Sequence, residues 1–309
     1  MKYGVIGTGA VGGYYGGLLC RHGLDTHFLL HSDYDHVAAE GLRVDSRDGD
    51  FHLTGINIYR RPEDMPRCDV VLVALKTTAN DALVSILPPV TKAGGVVIML
   101  QNGLGVEAAA AELVPAATII GGLCFLCSNK VGPGHIRHLD FGSVRLGEYS
   151  PNGGAAGITP TLQAVADTFA AAGISVDVTA DLGLARWQKL VWNMAFNGTA
   201  VVLGATTDQL MADPDSLALV RNIMTEVTAA ARACGHDLGD GFIDIMLAAT
   251  REMVAYSPSM KLDYEAGRPL EIEGIYRRPI AAARKAGVEM LRAAAVADEL
   301  SFLDKRNRQ

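Results

Sequence analysis

The chain has 309 residues, 49% of them hydrophobic and 20% charged, with a mean hydropathy of +0.20. That length predicts two domains, each with its own core, and the composition excludes a disulfide-stapled miniprotein and a disordered chain alike. A net charge of −7 and a pI of 5.6 argue against nucleic acid or an anionic membrane held by bulk electrostatics, yet leave room for a small local basic pocket.

In chain order, short apolar runs at residues 3–6, 26–30, 70–75, 96–100, 119–126, 144–147 and 174–178 read as strands. Helical patterns at 12–22, 107–113 and 160–172 lie between them. This βαβ rhythm predicts a Rossmann-type, doubly wound parallel sheet. From about Asp181 the strands stop and Ala- and Leu-rich segments of helical period follow. These predict helices at 184–203 (broken near Asn197-Gly198), 214–234, 241–256 and 270–286, with a frayed charged end at 304–309. The fold class is therefore α/β, with an N-terminal dinucleotide-binding domain at 1–180 and an all-helical domain at 181–309.

Gly7-Thr8-Gly9-Ala10-Val11-Gly12 follows the first strand and opens the first helix, the context that a dinucleotide fingerprint requires. Gly7 permits the tight turn, Gly9 lets backbone approach a pyrophosphate, and Gly12 allows close helix–strand packing. Free amides and the dipole at the helix start would hold the phosphates. The second strand ends at Leu30, His31, Ser32, with no acid before Asp33 and no arginine in that place. An imidazole and a hydroxyl can both donate to a 2′-phosphate, so NADP is favoured over NAD.

Two further strands end in polar groups on the edge where such sheets bind ligands: Lys76 after the 70–75 run, and Gln101-Asn102-Gly103 after 96–100. Asn102 would donate and accept at the nicotinamide ribose or carboxamide. In the helical part, Lys189, Asn193 and Asn197 recur at intervals of four on one face of an otherwise apolar helix. Two neutral amides beside Trp192, Met194 and Phe196 are costly in a core unless water or substrate satisfies them, which suggests a cleft. The Asn197-Gly198-Thr199 sequon then reads as chemistry or packing. Ser259 lies in a polar stretch before the 270–286 helix and Glu271 and Glu273 at that helix's start, and spacing alone does not separate the two glutamates.

Cys20, Cys68, Cys124, Cys127 and Cys234 form an odd, scattered set that fits a reducing cytoplasm. Cys124 and Cys127 lie in an extended run, where residues three apart face opposite ways, so no metal or redox centre is expected. Neither a signal peptide nor a ~20-residue membrane span is visible.

On these residues the sequence resembles the ketopantoate reductase (2-dehydropantoate 2-reductase) family nearly end to end. The resemblance is carried by Gly7-x-Gly9-x-x-Gly12, Lys76, Gln101-Asn102-Gly103, Lys189-x-x-x-Asn193-x-x-x-Asn197, Ser259-Met260-x-x-Asp263 and Glu271-Ile272. It implies a 6-phosphogluconate dehydrogenase-like arrangement in which a Rossmann domain binds NADPH and a helical domain closes over it. It also implies reduction of 2-dehydropantoate to (R)-pantoate, toward pantothenate and coenzyme A. Lys189 would be the general acid, Asn193 and Asn197 would bind the substrate's hydroxyl and keto groups, Ser259 its carboxylate, and Glu271 would anchor the arrangement. Lys76 would sit beside the cofactor. The same residues would serve another 2-oxo or 3-hydroxy acid. A non-catalytic NADP(H) sensor is disfavoured, because it needs no general acid. The partners expected are a small 2-oxo acid and, as an option the sequence leaves open, a second copy of the chain.

Overall fold

The computed structural model describes residues 1–253 and 257–308. The chain forms two compact units, Met1–Gln101 with Val106–Leu182, and Asn102–Gly105 with Gly183–Gln309.

The first unit is built on a sheet of ten strands among the described residues. Strands β1 (Lys2–Ile6), β2 (Asp25–Leu29), β5 (Asn57–Tyr59), β6 (Cys68–Val73) and β7 (Thr91–Met99) run parallel, with β1 at the centre between β2 and β6. Val70 and Leu72 enter one buried cluster with Tyr15, Phe28 and Phe169, while Val71 and Val73 enter another with Ile6, Leu87 and Val106. Side chains alternate between faces along a strand, so a strand covered on both sides reads as an unbroken apolar run. Helices α1 (Ala10–Arg21), α3 (Leu83–Val90), α4 (Val106–Leu113) and α5 (Pro160–Ala171) supply that cover. Thr159 caps α5 by accepting from the Leu162 amide at 3.1 Å, with Pro160 in the first turn.

The sheet is mixed, not purely parallel. Strands β8 (Thr118–Gly132) and β9 (His135–Glu148) form a long antiparallel hairpin around Gly132, Pro133 and Gly134, far beyond the short runs expected at 119–126 and 144–147. Its outer half carries Ser128, Asn129, Lys130 and His138, which hide the strand pattern. The two halves of β9 pair with β3 (Leu42–Ser46) and then β10 (Val176–Thr179), and β4 (Phe51–Leu53) pairs antiparallel with β3. Helix α2 (Tyr34–Glu40), α3 and strands β3 to β5 were not expected from the sequence.

In the second unit, α6 (Leu182–Trp192) passes through a π-helical turn, Asn193–Asn197, into α7 (Gly198–Leu203). The interruption expected near Asn197-Gly198 is this π turn; the chain nevertheless keeps a helical course through it, since Gly198 has right-handed helical angles. Then come α8 (Thr207–Ala212), α9 (Pro214–Ala233), α10 (Phe242–Arg251) and α11 (Ser259–Glu265), followed by a second π turn (Glu273–Arg277) and α12 (Arg278–Lys285). The expected helix over 241–256 is described only to Arg251, and residues 254–256 lie outside the described part. The charged end is helical rather than frayed as far as Asn307: α13 runs Leu291–Asn307, because Asp304 is buried, accepts from the Leu270 amide at 3.1 Å and pairs with Arg308 at 2.6 Å. The core of this unit includes Trp187, Leu190, Met194, Phe196, Ile223 and Tyr276. No helix among the described residues is long and apolar enough to cross a membrane.

Candidate active site

The turn after β1 is shaped by contacts that a side chain would break. Gly7 has φ +90°, and a Cβ there would lie 2.6 Å from the Leu75 amide nitrogen. A Cβ on Gly12 would lie 2.1 Å from the Gly7 carbonyl oxygen, which sets the close seating of α1 on the turn. Gly9, by contrast, faces open space, with nothing within 4 Å of a Cβ built on it. Gly9 is also the N-cap of α1 and brings no side chain to cap it, so the amides of Ala10, Val11 and Gly12 have no partner four residues back. The Thr8 hydroxyl oxygen is buried without a hydrogen-bond partner among the described residues. Unsatisfied donors around an open backbone cradle fit a dinucleotide pyrophosphate.

Gly7, Thr8 and Gly9 share a cavity of about 320 Å³ with His31 and Ser32, so five of the residues singled out in the sequence come together here. Three others in it were missed: Asp33, Arg60 and Lys130. Asp33 is buried, and its carboxylate accepts from Lys130 Nζ at 2.6 Å, the Ser32 hydroxyl at 3.1 Å and the Gly134 amide at 3.0 Å. Burial alone would raise this carboxyl, but the Gly134 amide and then Lys130 and Ser32 outweigh it and hold it below the ordinary carboxylate range. The guanidinium of Arg60 stacks 4.2 Å over the Tyr34 ring and pairs with Asp35. Arg60 reaches the cavity just past β5, which pairs with β2, and Lys130 reaches it on β8. Neither is near His31 in sequence, and no local pattern marks them.

Lys76 is exposed and caps a short helical turn, Thr77–Ala82, directly after the strand end that abuts Gly7. It is not among the residues lining the cavity. Gln101 ties two strand-end loops together, its side-chain amide donating to the Leu75 carbonyl at 2.8 Å and to Asn80 at 2.7 Å. Asn102 opens the loop Asn102–Gly105, which belongs to the second unit. There the Leu104 amide donates to the Gly274 carbonyl at 3.0 Å, and Arg278 donates to the Gly105 carbonyl at 3.2 Å.

The polar stripe lies on α6 and its π turn. Lys189 is half-buried in the last turn of α6, and Asn193 and Asn197 are buried among Met194, Ala195 and Phe196. The Oδ1 atom of Asn197, a residue 2% exposed, has no hydrogen-bond partner among the described residues. Thr199 is buried as well, so the sequon is part of the packing. Ser259 is exposed at the start of α11, which packs on the π turn and α7. Asp263 on α11 is buried and paired with Arg268 at 2.9 Å. Glu271 is buried just before the second π turn, whereas Glu273 is exposed, a separation that spacing did not make.

Both units match one family of known proteins. The family described as ketopantoate reductase PanE/ApbA matches residues 3–151, and its C-terminal counterpart matches 181–304. A 2-dehydropantoate 2-reductase of Nostoc sp. (strain PCC 7120) is 51% identical over 99% of this chain and 96% of its own length. Crystal structures of 2-dehydropantoate 2-reductases from Geobacter metallireducens and Methylococcus capsulatus are similar. The first has TM-score 0.92 and 43% identity, covering 98% of this chain and 99% of that one; the second has TM-score 0.90 and 31% identity, covering 100% and 98%. The chain thus belongs to the ketopantoate reductase family, nicotinamide-dependent oxidoreductases that act on CH–OH groups.

Proposed function

We propose that this chain reduces the C2 ketone of 2-dehydropantoate to (R)-pantoate with NADPH, in the cytoplasm, as a step toward pantothenate and coenzyme A. The observation that carries the substrate is the near end-to-end likeness to the Nostoc enzyme of that name. In the first unit, the amides of α1 and the Thr8 hydroxyl would donate to the pyrophosphate. His31, Arg60 and Lys130 would donate to the ribose 2′-phosphate, a group that NADH lacks, and Ser32 would join them by turning its hydroxyl away from Asp33. Asp33 already accepts three hydrogen bonds, two of them from Lys130 and the Gly134 amide, which leaves its carboxylate less available to a ribose 2′-hydroxyl. Lys76 and Asn102 would serve the nicotinamide end.

When bound, the nicotinamide supplies a hydride to the ketone carbon. Lys189 Nζ would donate to the ketone oxygen, stabilise the negative charge that develops there, and pass its proton to it. Asn193 and Asn197 would orient the substrate. A buried acceptor without a partner costs about 1–3 kcal/mol, and a substrate hydroxyl donating to Asn197 Oδ1 would relieve that cost. Ser259 would hold the carboxylate, and Glu271 would anchor the polar groups from the segment before the second π turn.

The test is turnover by the purified protein with NADPH and a panel of 2-oxo acids, followed by NADPH absorbance. Loss of absorbance with 2-dehydropantoate, at a kcat/KM above every other acid, is expected. Turnover of a different 2-oxo acid in its place would overturn the substrate. Equal kcat/KM with NADH would overturn the cofactor preference.

A further inference from the structure

In an uninterrupted α-helix the Gly198 amide would bond to the Met194 carbonyl, four residues back. Here the hydroxyl of Tyr276 stands between them. It accepts from the Gly198 amide at 2.9 Å and donates to the Met194 carbonyl at 2.6 Å. A side chain inserted into the ladder opens it, and the opened stretch is the π turn Asn193–Asn197. Tyr276 is fully buried and itself sits in the second π turn. Burial pushes its hydroxyl well above the ordinary tyrosine range, so it stays neutral and able to donate. Gly198 is the residue that admits it: a Cβ there would lie 2.1 Å from the Tyr276 oxygen.

The wedge bears on where the amides point. Residues four apart on an α-helix advance about 40° around its axis, so Lys189, Asn193 and Asn197 would drift across the face by about 80° in a regular helix. In the wider π turn each residue advances less, which draws Asn197 back toward the line of Lys189 and Asn193. We propose that Tyr276 is a positioning residue for substrate recognition, its hydroxyl holding the ladder open between Met194 and Gly198 and so aiming Asn197. This rests on the reading of Asn197 as a substrate ligand.

The substitution Tyr276→Phe removes only the hydroxyl and lets Gly198 bond directly to Met194. Misplacement of about 1 Å can cost a hundredfold, so kcat/KM for 2-dehydropantoate should fall by about that factor. NADPH affinity, measured by calorimetry, should be unchanged. In an Asn197→Ala background the same substitution should cost little further, because both changes act through one side chain. Full activity of Tyr276→Phe, or an equal loss in both backgrounds, would overturn the proposal, since a merely structural role is additive. An Asn197→Ala variant with unaltered kcat/KM would instead refute the substrate reading itself and the proposal with it. Gly198→Ala keeps the hydroxyl but displaces it from the ladder. It should reproduce the selective loss, and wild-type kinetics there would also overturn the proposal.

Discussion

Replacing Lys130 with methionine deletes the ammonium and keeps most of its apolar stem. The ammonium lies 2.6 Å from Asp33, and its side chain is 35% exposed. A unit charge about 4 Å from it would feel about 1 kcal/mol in water and about 4 kcal/mol at an effective dielectric near 20. Solvent access puts Lys130 toward the lower value, and its pairing with the Asp33 carboxylate offsets part of the field. What remains for a 2′-phosphate is about 1 kcal/mol, or about fivefold in affinity. Steady-state kinetics with both cofactors should therefore show kcat/KM for NADPH falling about fivefold while that for NADH stays put. Added salt should narrow the gap between wild type and variant. Because the substitution strands Asp33, the double variant Lys130→Met/Asp33→Asn serves as the control for lost stability. An equal loss with NADPH and NADH would refute the reasoning, because Lys130 would then support the fold and not the phosphate.

Three other expectations concern different parts of the two units. Gly9→Ala should leave Tm unchanged, because its Cβ meets nothing, yet weaken NADPH binding by about 1–3 kcal/mol as the methyl intrudes on the pyrophosphate; unchanged affinity would move the phosphates elsewhere. Lys189→Ala should lower kcat by about 10²–10⁴ with NADPH affinity kept, and a wild-type kcat would remove it as the acid. Asp33 has a folded pKa below its unfolded value of about 3.9, so its stabilising contribution is complete above that pH and is lost as pH falls through the folded value. Thermal melts of Asp33→Asn and wild type should differ at neutral pH and converge below about pH 4, whereas a constant difference would contradict the assignment.

The legible parts of the fold are those whose cause is local. Val70 to Val73 announce a doubly covered strand because every side chain is buried, and the glycine turn announces itself because only glycine fits at positions 7 and 12. The β8–β9 hairpin was cut short because its outer half alternates polar groups that pair across the ladder, as Ser128 does with His138. Arg60 and Lys130 join His31 through strand pairings that no spacing encodes. The asparagines at 193 and 197 were visible as a helical file, but the π turn that carries them is made by a hydroxyl from residue 276 and could not be read from the helix itself. Likewise Gly198 looked like a helix break when it is a gap left for that hydroxyl.

The loop Asn102–Gly105 also bears on how the chain matures. It belongs to the helical unit, yet it is synthesised within the first, and its partners Gly274 and Arg278 emerge from the ribosome only near the end. The sheet can form early, whereas the loop must wait for Gly274 and Arg278 before it finds its partners. A fragment beginning at Gly183 would lack that loop, leaving the Gly274 carbonyl without the Leu104 amide. The second unit is therefore not an independently portable piece of the sequence, even though a single cut near Asp181 makes it look like one.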